Sequence, residues 1–354
     1  MAGDWMLMGH ATLNLVYSWQ EGPRGDEMVF GSGMVMGMAR RELGAGTLQF
    51  RAMLSPDPLM GRRGYPLHLA AGESADGVNV LVDRQHPHDF FMELSASYSV
   101  PLGPNASAFL YAGLPGEPAF GPPAFMHRMA IADSPEAPIT HHWLDSTHIT
   151  FGVVTAGAIV GNLKIEGSRF NGREPDERRW NIETGPLDST ALRVSWNPAP
   201  QWSLQASWAR LESPEQLEPE QDQTKWSASA LYTHTLDAER ALSITAAWGR
   251  RISDHVGLDA WALEAAFNPA RAWTVFARAE GTENNELLAA GGPHGEAHAV
   301  AKMSAGALRD FAITRHTTIG VGALFAINSV DEALEPAYGS SPTGGMVFVR
   351  LRID

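Results

Sequence analysis

Apolar and polar residues alternate along most of the chain, in segments of roughly ten residues separated by turn-rich stretches. In residues 202–208, for example, Trp, Leu, Ala and Trp alternate with Ser, Gln and Ser, and residues 242–248 and 347–353 repeat the pattern. Successive side chains of a strand point to opposite faces, so a period of two predicts β-strands with one apolar face. Aromatic residues often lie at both ends of that face. Amphipathic rings take the same positions at the two membrane–water interfaces of a membrane barrel.

The connections between these segments alternate between short turns and long loops, which is the plan of outer-membrane barrels. We therefore predict an all-β fold, a transmembrane antiparallel β-barrel of about 16 strands (14–18), formed as a single domain by residues 1–354. The predicted strands lie near residues 5–18, 27–40, 46–54, 90–100, 105–113, 147–155, 158–170, 189–197, 202–211, 224–235, 241–251, 258–268, 273–282, 300–311, 317–327 and 345–353. An even number places both termini on the short-turn, periplasmic side. The alternative is a soluble β-sandwich, which would have to bury most of the tryptophans.

The composition of the chain limits the possible partners and the cellular location of this barrel. The formal net charge of −14 argues against a nucleic-acid partner and favours cationic solutes. The chain has no cysteine, which suits an oxidising compartment. No run of roughly 20 mainly apolar residues is present, so we predict no transmembrane helix. The expected location is the bacterial outer membrane, with its lipid as one partner.

Residues 83–148 hold six of the 13 histidines and are the strongest candidate for a functional site. Imidazole is the commonest metal-binding side chain, and thioether sulfur adds affinity for soft ions such as Cu(I). The predicted metal ligands and the residues that tune them are His86, His88, His127, His141, His142, His148, Asp83, Asp89, Asp145, Met126 and Met129. Copper is the leading ion and zinc the alternative.

The local patterns leave two interpretations open at each motif. His86 and His88 share a face if their segment is extended. Alternatively, a loop folded into the lumen pairs its His and Asp side chains with wall arginines such as Arg51 and Arg193. A helix would put His141 and His148 on the same side as Asp145, whereas an extended segment would put His142 and His148 on one shared face. An ordinary capped turn explains Asp145 as well.

The stretch from Phe125 to Met129 suits copper, or else anchors a loop through apolar contacts and an Arg128 salt bridge.

Two further sets of residues follow from the alternation. Met34, Met36 and Met38 form an apolar stripe, which we predict to face lipid. Charged residues on the opposite, luminal faces would tune selectivity or hold loops by ion pairs. They are Arg51, Lys164, Glu166, Arg193, Glu264, Arg278, Glu280, Arg350 and Arg352.

Four longer motifs, at residues 84–94, 111–128, 138–152 and 173–183, carry a resemblance to a known group. The chain resembles a family of largely uncharacterised proteobacterial outer-membrane proteins whose genes tend to lie beside copper and heavy-metal resistance genes. The resemblance implies a barrel and a metal-linked setting, and it assigns no mechanism. The chain departs from the habit of outer-membrane barrels at its end, where Ile353-Asp354 replaces a terminal aromatic residue.

The leading hypothesis is an outer-membrane channel or binding protein for metal ions, whose loops at about 55–89 and 114–147 fold into or over the lumen. One alternative is a general porin for small polar solutes, in which the histidines only structure a constriction. Another is a structural barrel, closed by its loops, that docks a periplasmic protein partner. We predict no enzymatic activity, since no nucleophile motif, phosphate-binding loop or paired-carboxylate signature is present.

Overall fold

Sixteen antiparallel strands close into one barrel in the computed structural model, which describes residues 4–288 and 295–354. In chain order the strands are β1 (Met6–Gln20), β2 (Asp26–Leu43), β3 (Gly46–Leu54), β4 (Tyr65–Ser74), β5 (Val80–Gln85), β6 (Phe91–Gly103), β7 (Ala106–Gly113), β8 (Val153–Val160), β9 (Leu163–Phe170), β10 (Ser189–Trp196), β11 (Trp202–Leu211), β12 (Gln223–Thr235), β13 (Ala241–Ser253), β14 (Val256–Ala270), β15 (Trp273–Asn284), β16 (His298–Ala312), β17 (Thr317–Ser329) and β18 (Thr343–Ile353). β4 and β5 form a separate hairpin, and the other strands build the barrel. The predicted fold class and strand number are confirmed.

The first and last strands close the barrel. β1 pairs with β18 from Ala11 opposite Ile353 to Gln20 opposite Gly344. Each barrel strand pairs with the next one along the chain, except that β3 pairs with β6 across the β4–β5 hairpin. The start of β1 and the end of β18 therefore lie at the edge that carries the short turns.

The opposite edge carries the long loops, which we name by their residues: loops 55–90, 114–152, 171–188 and 212–222. Two connections at this edge are short: residues 21–25 join β1 to β2, and Asp254 and His255 alone, both with positive φ, join β13 to β14. Helical elements in the described residues are confined to connections. They are α1 (His141–Leu144), α2 (Glu335–Tyr338) and three 3₁₀ turns (Asp57–Met60, Phe125–His127 and Ser146–His148).

Two predicted strands have different boundaries in the structure. The strand expected at 147–155 begins only at Val153, because the preceding residues form α1 and a 3₁₀ turn. The strand expected at 158–170 is divided at Gly161, whose φ of 59° makes a tight turn between β8 and β9. The β4–β5 hairpin was not predicted, since nearly every residue of β4 is buried and no polar face alternates with an apolar one.

The outer surface of the barrel is apolar and edged by aromatic residues. Mid-strand residues such as Leu263 and Val275 are half exposed, whereas their inward neighbours are buried. Trp196, Trp202 and Trp273 lie near the short-turn edge; Trp226, Trp248 and Trp261 lie near the long-loop edge. This arrangement matches the predicted aromatic girdles. Among the described residues, no helix is long and apolar enough to cross a membrane.

The methionine stripe of β2 faces the inside of the barrel, so the prediction of a lipid-facing stripe was wrong. Met34 is 8% exposed, while Val35 beside it is 46% exposed. Met34 packs in a cluster with Met53, Met92 and Phe151, with Met36 partly buried against it. The more apolar face turns inward because the loops supply apolar partners there, which alternation within one strand does not reveal.

Candidate functional site

Loops 55–90 and 114–152 pack against the inward faces of the barrel strands. Tyr65 of the first loop stacks on Phe30 of β2 with ring centroids 4.4 Å apart. Phe125 and Ile131 of the second loop join the same buried cluster, which includes Phe348 of β18. Burial of aromatic and aliphatic side chains stabilises such a contact by about 1.5–3 kcal/mol each. The two loops are thus fixed to the wall and to each other.

Buried ion pairs add to these apolar contacts. Arg128 of loop 114–152 donates from Nε and Nη2 to the two carboxylate oxygens of Glu264 on β14, at 2.7 and 2.6 Å. Glu136 of the same loop pairs with Arg278 on β15 at 3.0 Å and Lys302 on β16 at 2.5 Å. These wall residues are almost fully buried. Two of the predicted luminal charges, Glu264 and Arg278, therefore hold this loop.

Five of the six predicted histidines meet where the two loops touch, and we call them the histidine cluster: His86, His88, His141, His142 and His148. Centroid separations are 5.3 Å for His88–His148, 5.2 Å for His141–His148, 5.5 Å for His141–His142, 5.6 Å for His86–His142 and 5.8 Å for His86–His141. The sequence expectation that these side chains converge agrees with this geometry.

Three members of the cluster are oriented through Nδ1. His88 bonds Oδ2 of Asp57 at 2.7 Å, and His141 bonds Oδ1 of Asp145 at 2.7 Å. His148 bonds the backbone oxygen of Asp145, also at 2.7 Å. Since each partner is an acceptor, Nδ1 carries the proton and Nε2 keeps a free lone pair. The Nε2 atoms of His88 and His148 are buried without a hydrogen-bond partner.

His86 and His142 lie against glutamates instead. Nε2 of His86 is 3.2 Å from Oε1 of Glu73, and Nδ1 of His142 is 3.5 Å from Oε1 of Glu174. Glu73 also pairs with Arg179, which bonds Asp89 at 3.2 Å.

Burial sets the protonation of most of the cluster. Desolvation lowers the pKa of His86, His141 and His148, and neighbouring positive or imidazole groups lower it further for His86 and His148. At His142 burial opposes the charge, but the hydrogen bond and charge of Glu174 outweigh it and raise the pKa. Three imidazoles thus stay neutral at pH 7, the form in which histidine binds metals.

The other predicted ligands lie outside the cluster. Asp83 bonds Arg24 and Tyr338 at 3.1 Å each. Asp89 is engaged by Arg179, as described above. His127 has an exposed side chain, and within the described ranges its ring contacts none of the rings of the cluster. Desolvation inside the barrel and the nearby Arg51 lower the pKa of His127 to about 4. Met126 is partly buried in the apolar clusters, and Met129 is 68% exposed. The Arg128 salt bridge and Met126 packing follow the loop-anchor interpretation of this motif.

Several residues at the site were not predicted to act there. Asp57 orients His88, Glu73 and Glu174 contact His86 and His142, and Arg128 holds Asp145 at 2.5 Å. Asp57 follows Ser55-Pro56 and Glu174 lies in the motif at 173–183, so both belonged to polar loop segments without a distinguishing pattern. Within the described ranges, no three or more His, Asp or Glu side chains are already arranged to hold a metal ion.

The barrel has the fold of the outer-membrane porins. Three solved structures illustrate this: an anion-selective porin from Comamonas acidovorans (TM-score 0.57, 11% identity, 99% of this chain and 100% of that chain covered), OmpF of Salmonella typhi in complex with daunomycin (0.61, 11%, 98% and 97%) and OprB of Pseudomonas putida at high pH (0.62, 9%, 99% and 94%). Identities this low show the fold alone. The closed barrel and its apolar exterior fit a bacterial outer-membrane location.

The chain matches no family model and no curated protein in sequence. Its membership in the metal-resistance-associated family therefore stays a prediction.

Proposed function

We propose that this chain is an outer-membrane channel-type barrel that binds a metal ion at the histidine cluster, with copper as the leading ion and zinc as the alternative. The observation that carries the proposal is the meeting of His88, His141 and His148. Each of these side chains is fixed through Nδ1 by an oxygen acceptor. Histidines that ligate metals are oriented in this way by carboxylates or carbonyls on the second ring nitrogen.

The spacing of the rings supports the same set. Imidazoles that bind one ion through Nε2 at about 2.0–2.1 Å have ring centroids roughly 5 Å apart in a tetrahedral arrangement. His88 and His141 lie 5.3 and 5.2 Å from His148. Ring rotations that turn the Nε2 atoms towards one point would therefore complete the site, and we expect no large backbone movement.

Imidazole nitrogens without cysteine suit copper or zinc better than magnesium or calcium, which prefer oxygen. The resemblance to proteins encoded beside copper-resistance genes favours copper over zinc.

We infer further that loops 55–90 and 114–152 lie within the barrel and restrict passage. Their contacts to Phe30, Glu264 and Phe348 are all with inward-facing wall residues. The porin fold favours passage of ions or small polar solutes as the coarser function. The apolar packing of the loops favours a lumen that the loops close. Conductance in planar bilayers discriminates between an open and a closed barrel.

Metal titration of the detergent-folded protein tests the binding site. We expect Cu(I), measured by competition with a chromophoric chelator, to bind the wild type at one cluster site, and His148→Ala to lower the affinity about tenfold or more. His316→Ala is the matched control, because His316 lies exposed in the turn between β16 and β17. Unchanged Cu(I) and Zn(II) binding after replacement of His88, His141 and His148 together would remove the metal hypothesis.

A further inference from the structure

Five methionines pack together on the inner surface of the barrel, and we call them the methionine cluster: Met34, Met36, Met53, Met92 and Met126. Three of them are buried, and Met36 and Met126 pack against these three. The cluster holds five of the chain's 14 methionines and, among the described residues, no leucine. Packing alone does not select methionine here, since the buried cluster around Leu69 is built from leucine, valine and isoleucine and contains no methionine within the same described ranges.

A row of three inward-facing side chains crosses β1, β2 and β3 at this cluster. Met36 of β2 stands opposite His10 of β1 on one side and opposite Met53 of β3 on the other. Directly opposed residues have Cβ atoms about 4.5–5.5 Å apart. The two thioethers and the imidazole therefore reach one ion without movement of the strands. Met126 of loop 114–152 packs against the same cluster from the inside of the barrel.

The next row towards the short-turn edge adds two more thioethers. Met38 of β2 stands opposite Met8 of β1. Met8 has the same alternation as Val16, which is buried on the inside of β1, yet Met8 is half exposed. A half-exposed thioether contributes little to a packed core, so apolar packing does not account for this second row.

The methionine cluster also lies beside the histidine cluster. Met126 directly follows Phe125, whose ring lies 6.2 Å from that of His88. On the other side of Met126, His127 lies within electrostatic range of His10. Imidazole and thioether groups therefore follow one another from the histidine cluster to the inner face of β1.

We propose that His10, Met36 and Met53, with Met126 beside them, form a second metal site that binds one Cu(I) on the periplasmic side of the histidine cluster. Thioether sulfur selects soft ions such as Cu(I), whereas zinc is satisfied by imidazoles. This inference rests on the proposed function, because it fixes the ion as monovalent copper and gives an ion that passes the histidine cluster its next ligands. Binding at such a site is weak enough for release when several sites follow one another.

Anaerobic Cu(I) titration against a chromophoric chelator, with copper X-ray absorption spectroscopy of the loaded protein, tests the proposal on the detergent-folded full chain. We expect the wild type to bind two Cu(I), with sulfur among the copper ligands. The triple variant Met36→Leu, Met53→Leu and Met126→Leu should bind one Cu(I) and show no copper–sulfur scattering. Leucine keeps the volume and apolar character of methionine, so the fold is retained. His10→Ala should weaken the second site about tenfold or more.

Met303→Leu is the matched control, because Met303 is mostly exposed on the lipid-facing side of β16. Zn(II) affinity should be equal in the wild type and the triple leucine variant, since the variant removes only thioethers. Heat-modified electrophoretic mobility confirms that each variant is folded.

Two results would overturn the proposal: no copper–sulfur scattering in the Cu(I)-loaded wild type, or equal Cu(I) stoichiometry in the triple leucine variant and Met303→Leu. The triple alanine variant of His88, His141 and His148 separates this proposal from the proposed function. One sulfur-bound Cu(I) retained by that variant supports the methionine site even where the histidine cluster binds no metal. Copper bound by the wild type through nitrogen alone supports the histidine cluster and removes the methionine site.

Discussion

Arg128 and Glu264 form a bidentate ion pair, at 2.6 and 2.7 Å, between loop 114–152 and the inner face of β14. The third nitrogen of the same guanidinium donates to Asp145 at 2.5 Å, and the other oxygen of Asp145 bonds His141. One arginine thus connects the barrel wall to the histidine cluster. All four side chains are at most 2% exposed, so each group depends on the others for its polar partners.

Replacing Arg128 by methionine should destabilise this loop strongly. Glu264 and Asp145 would be left buried and unpaired, and removing one partner of a buried ion pair costs about 3–5 kcal/mol. We expect faster hydrogen exchange across residues 114–152 and new protease cleavage there, with the barrel strands still protected. Arg210→Met is the control, because Arg210 is half exposed and its ion pairs should contribute about 1 kcal/mol or less. Equal effects of the two changes would contradict the assignment.

The carboxylate that orients His88 should matter for metal affinity. Asp57 accepts a hydrogen bond from Nδ1 of His88 at 2.7 Å and so presents Nε2 to the cluster. Loss of such a partner commonly weakens metal binding about 10–100-fold, and we expect Asp57→Ala to lower Cu(I) affinity within that range. Asp83→Ala should leave the affinity unchanged, since Asp83 bonds Arg24 and Tyr338 outside the cluster. A loss of the same size in both variants would indicate a general effect on folding.

Acid should weaken the loop packing through the buried histidines. His148 has a pKa well below 6.5 in the folded protein because it is buried, and an unfolded loop exposes it to water. Below pH 6.5 the unfolded loop therefore binds the extra proton, so the contribution of His148 to stability is present above 6.5 and falls by about 1.4 kcal/mol per pH unit below it.

The variant His148→Gln isolates this effect, because other groups such as Glu215 titrate in the opposite sense. We expect the stability of the wild type, relative to His148→Gln, to decline as the pH falls from 6.5 to 5, measured by denaturant unfolding with a chelator present. A constant difference over this range would show that His148 is already protonated in the folded state.

The two faces of β2 can be distinguished by single cysteines, because the chain contains none. Val35 is 46% exposed on the outside, and Met34 is 8% exposed on the inside. A fluorophore on Val35→Cys should be quenched by brominated lipid, whereas Met34→Cys should resist labelling in the folded protein. Quenching at position 34 and its absence at 35 would restore the original expectation for the methionine stripe.

The methionine stripe shows that the pattern of one strand does not always predict which of its faces lies outside the barrel. Alternation located the barrel strands, because residues such as Leu263 face lipid while Glu264 beside it faces inward. It could not tell which face of β2 is outside, since both faces are apolar and the packing partners come from loops distant in the sequence.

The candidate site, too, could be predicted only in part from the sequence. The histidine motifs could be identified in the sequence. α1 ends at Leu144, so a separate 3₁₀ turn, and not the continuous helix of the helical alternative, brings His148 near Asp145. The residues that hydrogen-bond or ion-pair with this site could not be identified from the sequence. Asp57 lies 31 residues from His88, and Glu264 lies 136 residues from Arg128. Such pairs depend on barrel closure and loop packing, which local spacing does not encode.

The final prediction concerns passage through the barrel. If loop 114–152 restricts the lumen, conductance should be low in the wild type and should rise when its ion pairs to the wall are removed. The variant Glu136→Gln weakens the contacts with Arg278 and Lys302, and combining it with Arg128→Met also releases Glu264. Planar-bilayer recordings should therefore show larger and noisier currents in the double variant. Equally low currents in the double variant and the wild type would favour the closed barrel, and equally large currents would favour a general porin whose path avoids this loop.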